Sequence, residues 1–287
     1  MAVTSARYTD SARCPVWLDM ARWRRNIPGT WQNLMTDVSV KRSGSAFLRF
    51  GKKLRPTLNS WIEAASLIPT TPILDPSLLA WTERLASEWR TIQAECDLLL
   101  GERDAIPSLG RIASYHRRIA PDDKWRSFFF EAHGYEVVSN RARCPATAAL
   151  LDTIPDLVTA FYSVMDAGTH VPRHRGFSKG LLNIHLGLRI PGKAGDCRIQ
   201  VADQNHGWGE GDLLMFDESF HHEVWNDSDR PRAVLFIQVM RPMRWRGRLL
   251  TRATIAVVNR TKYVQQARRS IGATPKRFAQ RSRGEGR

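Results

Sequence analysis

From residue 157 onward the chain stops repeating its apolar residues at helical spacing and begins to alternate them. Short runs fall at 160–165, 181–190, 198–201, 213–216, 220–225 and 232–239, with Gly, Pro, Asn and Asp between them. Six short strands within about 80 residues, each bounded by turn residues, predict a sandwich or a barrel. Upstream the period is helical. Asp75-Pro76 is a helix start, and Leu78, Leu79, Trp81, Leu85, Trp89 and Ile92 recur at helix spacing as far as Gly101, predicting one amphipathic helix. A second short helix is expected over 144–151 and ends before Pro155. The fold class is therefore α+β, helices first and an all-β body after.

Charge bears on what this body does. The 287 residues carry a formal net charge of +15, which on its own points to an anionic partner. The charge is not evenly spread: residues 1–55 carry +8, 56–240 carry −6 and 241–287 carry +13. We therefore expect a basic N-terminal arm at 1–55, a folded domain at 56–242 with its β core at 157–242, and a basic C-terminal helix and tail at 243–287. Within the last, 249–269 reads as a basic amphipathic helix and 276–287 as a basic tail. An acidic body disfavours a nucleic-acid-binding domain. Cys14, Cys96, Cys144 and Cys197 are widely separated, which fits a reducing compartment rather than a disulfide framework. No apolar run has the length of a signal peptide or a membrane span. The expected location is cytoplasmic, with the arms allowing peripheral contact with an anionic membrane at its inner face.

Two of the eight histidines lie in unusual settings. His174 follows Thr169-His170-Val171-Pro172-Arg173, directly before an apolar strand. His222 opens a strand after Phe216-Asp217-Glu218-Ser219-Phe220-His221, and Arg232 begins the next one. Neutral imidazoles from two strands suit Fe(II) and leave coordination positions open, and an arginine deeper in a barrel suits bidentate capture of a carboxylate. The same trio also fits histidines satisfied by backbone in a β core and an arginine in a surface ion pair. His206 and His221 could approach a metal but also read as exposed. Asp217, Glu218 and Glu223 read mainly as turn and surface residues, with a possible role in orienting His222.

Several blocks together resemble one family. Thr169-His-Val-Pro-Arg-His-Arg-Gly176, His185-Leu-Gly-Leu188, Trp208-x-Glu-Gly211, the segment from Phe216 to Asn226, and Arg241-Pro242 are similar to the aspartyl/asparaginyl β-hydroxylases, a family of Fe(II)/2-oxoglutarate dioxygenases. Trp125-x-x-Phe128 and Arg143-Cys144-Pro145-x-Thr147 extend the resemblance, which covers 110–242 well and 60–110 loosely. It implies a double-stranded β-helix, a jelly-roll and cupin-like fold. It implies Fe(II), 2-oxoglutarate and O2 as the cofactor and cosubstrates, with His174 and His222 as iron ligands. Arg232, together with the Ser163 hydroxyl, would bind the distal carboxylate of 2-oxoglutarate, and His185 would lie in the pocket near the cosubstrate. Gly176 stands where most 2-oxoglutarate enzymes place a third, carboxylate ligand; the family lacks that carboxylate. Asn183 departs from the arginine that family members commonly carry two residues before the pocket histidine.

The resemblance implies hydroxylation of an unactivated C–H of a peptidyl or amino-acid Asp/Asn-type substrate, with 2-oxoglutarate converted to succinate. Bacterial relatives of similar sequence that hydroxylate a lipid A acyl chain supply an alternative, a membrane-lipid acyl substrate. Another alternative, of a different class, is an inactive dioxygenase fold that binds through its basic arms.

Overall fold

The computed structural model describes residues 46–102, 104, 106–112, 114–272 and 274–275. The chain divides into two compact units, Met1–Gly51 and Lys52–Arg287, and everything positioned around the histidines lies in the second. The N-terminal half supplies α1 (Ala46–Ala65), β1 (Ile73–Leu74), α2 (Trp81–Ser87), α3 (Trp89–Leu100), α4 (Leu109–Ile112), β2 (Trp125–Ala132), β3 (Tyr135–Glu136), α5 (Val138–Arg143) and α6 (Pro145–Asp152). Eight strands follow: β4 (Leu157–Met165), β5 (Thr169–His174), β6 (Leu181–Arg189), β7 (Cys197–Val201), β8 (Gln204–Gly207), β9 (Leu213–Asp217), β10 (His222–Asn226) and β11 (Arg232–Met240). Helices α7 (Trp245–Asn259) and α8 (Lys262–Ser270) and the two-residue β12 (Thr274–Pro275) complete the described chain.

The strands form two antiparallel sheets, one in the order β1-β9-β6-β11-β4-β2-β3-β12 and one in the order β5-β10-β7-β8. From β4 to β11 the chain alternates strand by strand between the two sheets, except that β7 and β8 are successive in the second, which is the winding of a double-stranded β-helix, a cupin-like jelly roll. Side-chain alternation then sorts residues into layers. In β11, Ala233, Leu235, Ile237 and Val239 join Leu182, Ile184 and Leu186 of β6 and Tyr162 and Val164 of β4 beneath the helices. Leu85 of α2, Ile92, Cys96 and Leu99 of α3 and Leu151 of α6 cover that face. Residues of the opposite parity face the second sheet. There Met165, Val171, Ile199, Trp208, Phe216, Val224 and Val234 form a separate inner core. Ser163, Asn183, His185, Arg232 and Gln238 all share that inner parity, so the sheet pattern alone carries these polar groups into the barrel.

Several boundaries differ from the sequence reading. The helix expected from Asp75 to Gly101 is three pieces: Asp75 caps a single 3-10 turn at Pro76–Leu78 by accepting from the Ser77 amide, and α2 and α3 are separated at Glu88. The Thr82 hydroxyl donates to the Pro76 and Leu79 carbonyls, closing the first turn before α2 begins. The helix read over 144–151 is α6, and α5 precedes it, the two meeting at Cys144. Strands β5 and β8 escape the alternation pattern because one contains Pro172 and the other, Gln-Asn-His-Gly, is largely exposed. The C-terminal helix is broken at Arg260 into α7 and α8. Helix α1 runs across residue 55, the expected end of the N-terminal arm. Residues 1–45, the bulk of that arm, and the tail at 276–287 lie outside the described residues. No helix among the described residues is long and apolar enough to cross a membrane.

Candidate active site

Strands β5 and β10 place the two histidines directly opposite one another. His174 and His222 are register partners in an antiparallel ladder that shifts just beyond His222, and their ring centroids lie 4.2 Å apart. Each ring is oriented in the same way. His174 Nδ1 lies 2.8 Å from the Pro172 carbonyl and His222 Nδ1 lies 3.0 Å from the Phe220 carbonyl. A carbonyl can only accept, so each Nδ1 carries the proton and each Nε2 keeps its lone pair, the tautomer a metal requires. Burial lowers both pKa values; for His222 burial and then the neighbouring His174 bring it to about 3. Both imidazoles are therefore neutral at pH 7, and ready to donate to a cation without first losing a proton.

From this pair a line of ring contacts runs into the barrel. His222 meets Phe216 at 5.1 Å, Phe216 meets His185 edge-on at 5.2 Å, and His185 meets Trp208 at 5.8 Å. The Arg232 guanidinium then stacks over Trp208, 4.5 Å from its ring centroid. Arg232 is not in the surface ion pair that one reading of the sequence allowed: it is 1% exposed. Its described contacts are Trp208 and a long approach of Nη1 to the Met165 sulfur, and Nε and Nη2 have no hydrogen-bond partner among the described residues. Burial lowers its pKa to about 9, which still leaves it charged at pH 7. His185 is equally isolated, with neither ring nitrogen partnered among the described residues and its pKa driven well down by burial and then by Arg232. Ser163 lies on the same sheet face, opposite Val234 in the ladder, and its hydroxyl accepts from Trp125 Nε1 at 2.9 Å.

Buried donors without acceptors are costly, about 1–3 kcal/mol each and more when charged. A fold that keeps Arg232, His185 and the Trp208 indole N–H together in this condition offers a buried set of donors that an anionic group such as a carboxylate would satisfy. The donor set thus fits the oxo-acid that the sequence resemblance implies. Among the described residues no three His, Cys, Asp or Glu side chains converge on a point, so an ion at the histidine pair would have two protein donors.

The structure also explains Gly176. A Cβ at this position would collide with the Glu218 carboxyl, so the space a third ligand would need is already filled. Glu218 is a turn residue as read, but a buried one rather than a surface one, and accepts from Gln238 Nε2 at 2.7 Å. The same Gln238 nitrogen lies 3.1 Å from Asn183 Oδ1, which links Asn183 to Glu218. Burial, reinforced by Asp217 and opposed by Arg55, pushes the Glu218 carboxyl up to about 8. Asp217 is buried as well, paired with Arg241 at 2.6 Å. Glu223 does not orient His222; it pairs with His170 at 2.6 Å. His221 is exposed and His206 sits on β8, outside the constellation. Trp208 and Glu218 were missed as site residues. A tryptophan in a polar loop and an acid beside a turn give no periodic signal, and only the resemblance blocks Trp208-x-Glu-Gly211 and 216–226 marked the two regions. Gly187 makes the Trp208 position possible, because a Cβ there would strike the Gly209 carbonyl and crowd the indole.

The family model of aspartyl/asparaginyl β-hydroxylases matches residues 86–242. The chain is 30% identical over 211 residues to the ornithine lipid ester-linked acyl 2-hydroxylase of Rhizobium tropici, covering 72% of this chain and 75% of that protein. It is 37% identical over 123 residues to the aspartyl/asparaginyl β-hydroxylase of Homo sapiens, covering 41% of this chain but 16% of that protein. Among solved structures, the DMSP lyase DddQ of Ruegeria pomeroyi DSS-3 aligns with a TM-score of 0.29 and 17% identity, over 41% of this chain and 47% of that one. With a family match over more than half of its length, this chain belongs to the aspartyl/asparaginyl β-hydroxylase family.

Proposed function

We propose that this protein is an Fe(II)- and 2-oxoglutarate-dependent hydroxylase whose substrate is the acyl chain of a membrane lipid. The observation that carries the oxygenase reading is the pairing of two neutral, backbone-oriented imidazoles with a buried, unpartnered Arg232 along one line through the barrel. His174 and His222 would hold the iron through Nε2. Arg232 would grip the distal carboxylate of 2-oxoglutarate with its free Nε and Nη2, the bidentate geometry a guanidinium provides. The Ser163 hydroxyl, already accepting from Trp125, keeps its own proton to donate to the same carboxylate. His185, uncharged, can donate from one ring nitrogen between Arg232 and the metal. Phe216, Phe236 and Trp208 surround the His185 ring and would screen it from water. When bound, iron with the oxo-acid and O2 supplies the oxidising power to convert an unactivated C–H to C–OH, with release of succinate and CO2.

The acyl-chain reading is supported by the extent of the likeness. The lipid hydroxylase from Rhizobium tropici aligns with nearly three quarters of this chain, well beyond the catalytic blocks shared with the human protein. Around the histidines, Arg118 acts on His174 with Glu223 opposing it, and Arg175, Arg173 and Arg55 act on His221, so cationic side chains outnumber acidic ones there and would favour an anionic headgroup.

The test is anaerobic titration with Fe(II), followed by incubation with 2-oxoglutarate, labelled O2 and a lipid or peptide extract. Succinate formation coupled to label in a lipid acyl chain, both lost in His174→Ala, is the expected result. Label in Asp or Asn residues instead would transfer the activity to the peptide substrate. Absence of Fe(II) binding would leave a binding protein on an inactive fold.

A further inference from the structure

Large apolar side chains stand in solvent along one part of the molecule. Helix α1 exposes Leu54 and Trp61, the segment after it exposes Leu67, and α7 exposes Trp245, Leu249 and Val257. Trp61 is 62% and Trp245 69% exposed. The two helices meet end to end: the Arg244 amide donates to the Ala65 carbonyl at 2.9 Å, Ser66 bridges to Met243, and Gly247 lacks the Cβ that would strike Ala65. Trp61 lies one turn before Ala65 and Trp245 two residues before Gly247, so the tryptophans flank this junction. Clustered exposed apolar groups on a folded protein mark an interaction surface, and tryptophan favours the boundary between water and an apolar phase.

Charge selects the partner. No acidic residue occurs between Met243 and Gly272, while basic ones recur throughout. Arg246 stacks on Trp245 at 5.2 Å, holding a cation against the most exposed indole among the described residues. The nearby acids are already engaged: Glu63 lies 3.4 Å from Lys179, and Asp156 pairs with Arg248 and Arg252. An apolar ridge with a cationic rim complements an anionic bilayer, into which indoles and leucines enter while arginines remain among the headgroups.

Helix α1 also reaches the mouth of the site. Arg55 Nη2 donates to the Gly176 carbonyl at 2.6 Å, and Asn59 Oδ1 accepts from the Lys179 amide at 3.1 Å. The helix is thus tied along the loop that follows His174. We propose that α1 and α7 dock the protein on an anionic lipid bilayer through Trp61, Trp245 and Leu249, with α1 holding the entrance of the histidine site against the headgroup layer. This rests on the acyl-chain reading and adds the route by which a lipid reaches the barrel.

The experiment is co-sedimentation of the full chain with vesicles of equimolar phosphatidylglycerol and phosphatidylcholine, and with phosphatidylcholine alone. The wild-type chain is expected to prefer the anionic vesicles. Trp61→Glu/Trp245→Glu is expected to weaken that binding by at least about tenfold, because it removes two interfacial anchors and adds two repelled charges. Leu98→Glu, at an exposed leucine on α3, is expected to bind as wild type. Thermal melts of all three serve as the folding control. Equal binding to both vesicle types, or undiminished binding by the double variant, overturns the docking surface. The readout needs no turnover, so a chain that docks but oxidises no acyl chain defeats the substrate reading alone.

Discussion

Two arginines are buried in this protein to nearly the same depth, Arg232 at 1% and Arg241 at 2% exposure, and they are treated in opposite ways. Arg241 donates to the Lys179 carbonyl at 2.8 Å, the Pro69 carbonyl at 2.7 Å and the Asp217 carboxylate at 2.6 Å. It ties the segment after β11 to the loop before β6 and to the end of β9. Arg232 has Nε and Nη2 unpartnered among the described residues and lies against an indole face. Both guanidiniums lose their hydration on folding, but only one recovers it from the protein. The difference separates a structural clamp from the group that the proposed function would use to bind an anion: the first is stabilising where it stands, and the second would be destabilising until an anion arrived.

That contrast can be broken by experiment. The largest effect on folding is expected for Arg241→Met, which leaves the Asp217 carboxylate buried with the 3.7 Å Lys179 ammonium as its remaining ionic partner. Removing one member of a buried pair costs about 3–5 kcal/mol, to be read by urea denaturation. Arg232→Met is expected to do the reverse, leaving stability unchanged or slightly raised while 2-oxoglutarate affinity falls by about 100-fold or more in anaerobic calorimetry. If Arg232→Met destabilised the fold as much as Arg241→Met, the two arginines would be the same kind of residue. The most gradual effect concerns pH. The Glu218 carboxyl, pushed up to about 8, holds a proton that the unfolded chain releases near the ordinary carboxylate value. Its contribution is fully present below that ordinary value and is lost as pH rises through the folded one, by at most about 1.4 kcal/mol per pH unit. Denaturation at pH 5 to 8 is expected to show this decline in the wild type and a flatter profile in Glu218→Gln.

The sheet parities show what could be read from sequence and what could not. Strands β4, β6, β7, β9, β10 and β11 announce themselves because one or both faces are apolar and turn residues bound them. β5 and β8 lack an apolar alternation and remained invisible, although β5 carries His174. His185 was marked by a motif block, Arg232 by its place at the start of the strand after that of His222, and Ser163 only by the family resemblance; no periodic property distinguishes a polar residue facing a barrel from one facing water. Glu218 was misread for that reason. Its burial depends on Gly176, 42 residues earlier, leaving room for the carboxyl, and on Gln238, 20 residues later, donating to it. Helix breaks at Glu88 and Arg260 are equally nonlocal, since both flanking segments keep helical composition.

The opposition of His174 and His222 in the β5–β10 ladder has a consequence for how errors in assembly are detected. The spacing of the imidazoles comes from backbone hydrogen bonds between two strands, so it depends on their register. A slip of one residue turns every side chain of a strand to the other face. In a barrel paired one step out, one imidazole points inward and the other outward, and the donor pair ceases to exist. If the pair holds the proposed iron, loading of the metal would act as a checksum on strand pairing: a misassembled copy would be silent, rather than an oxidant with an altered target.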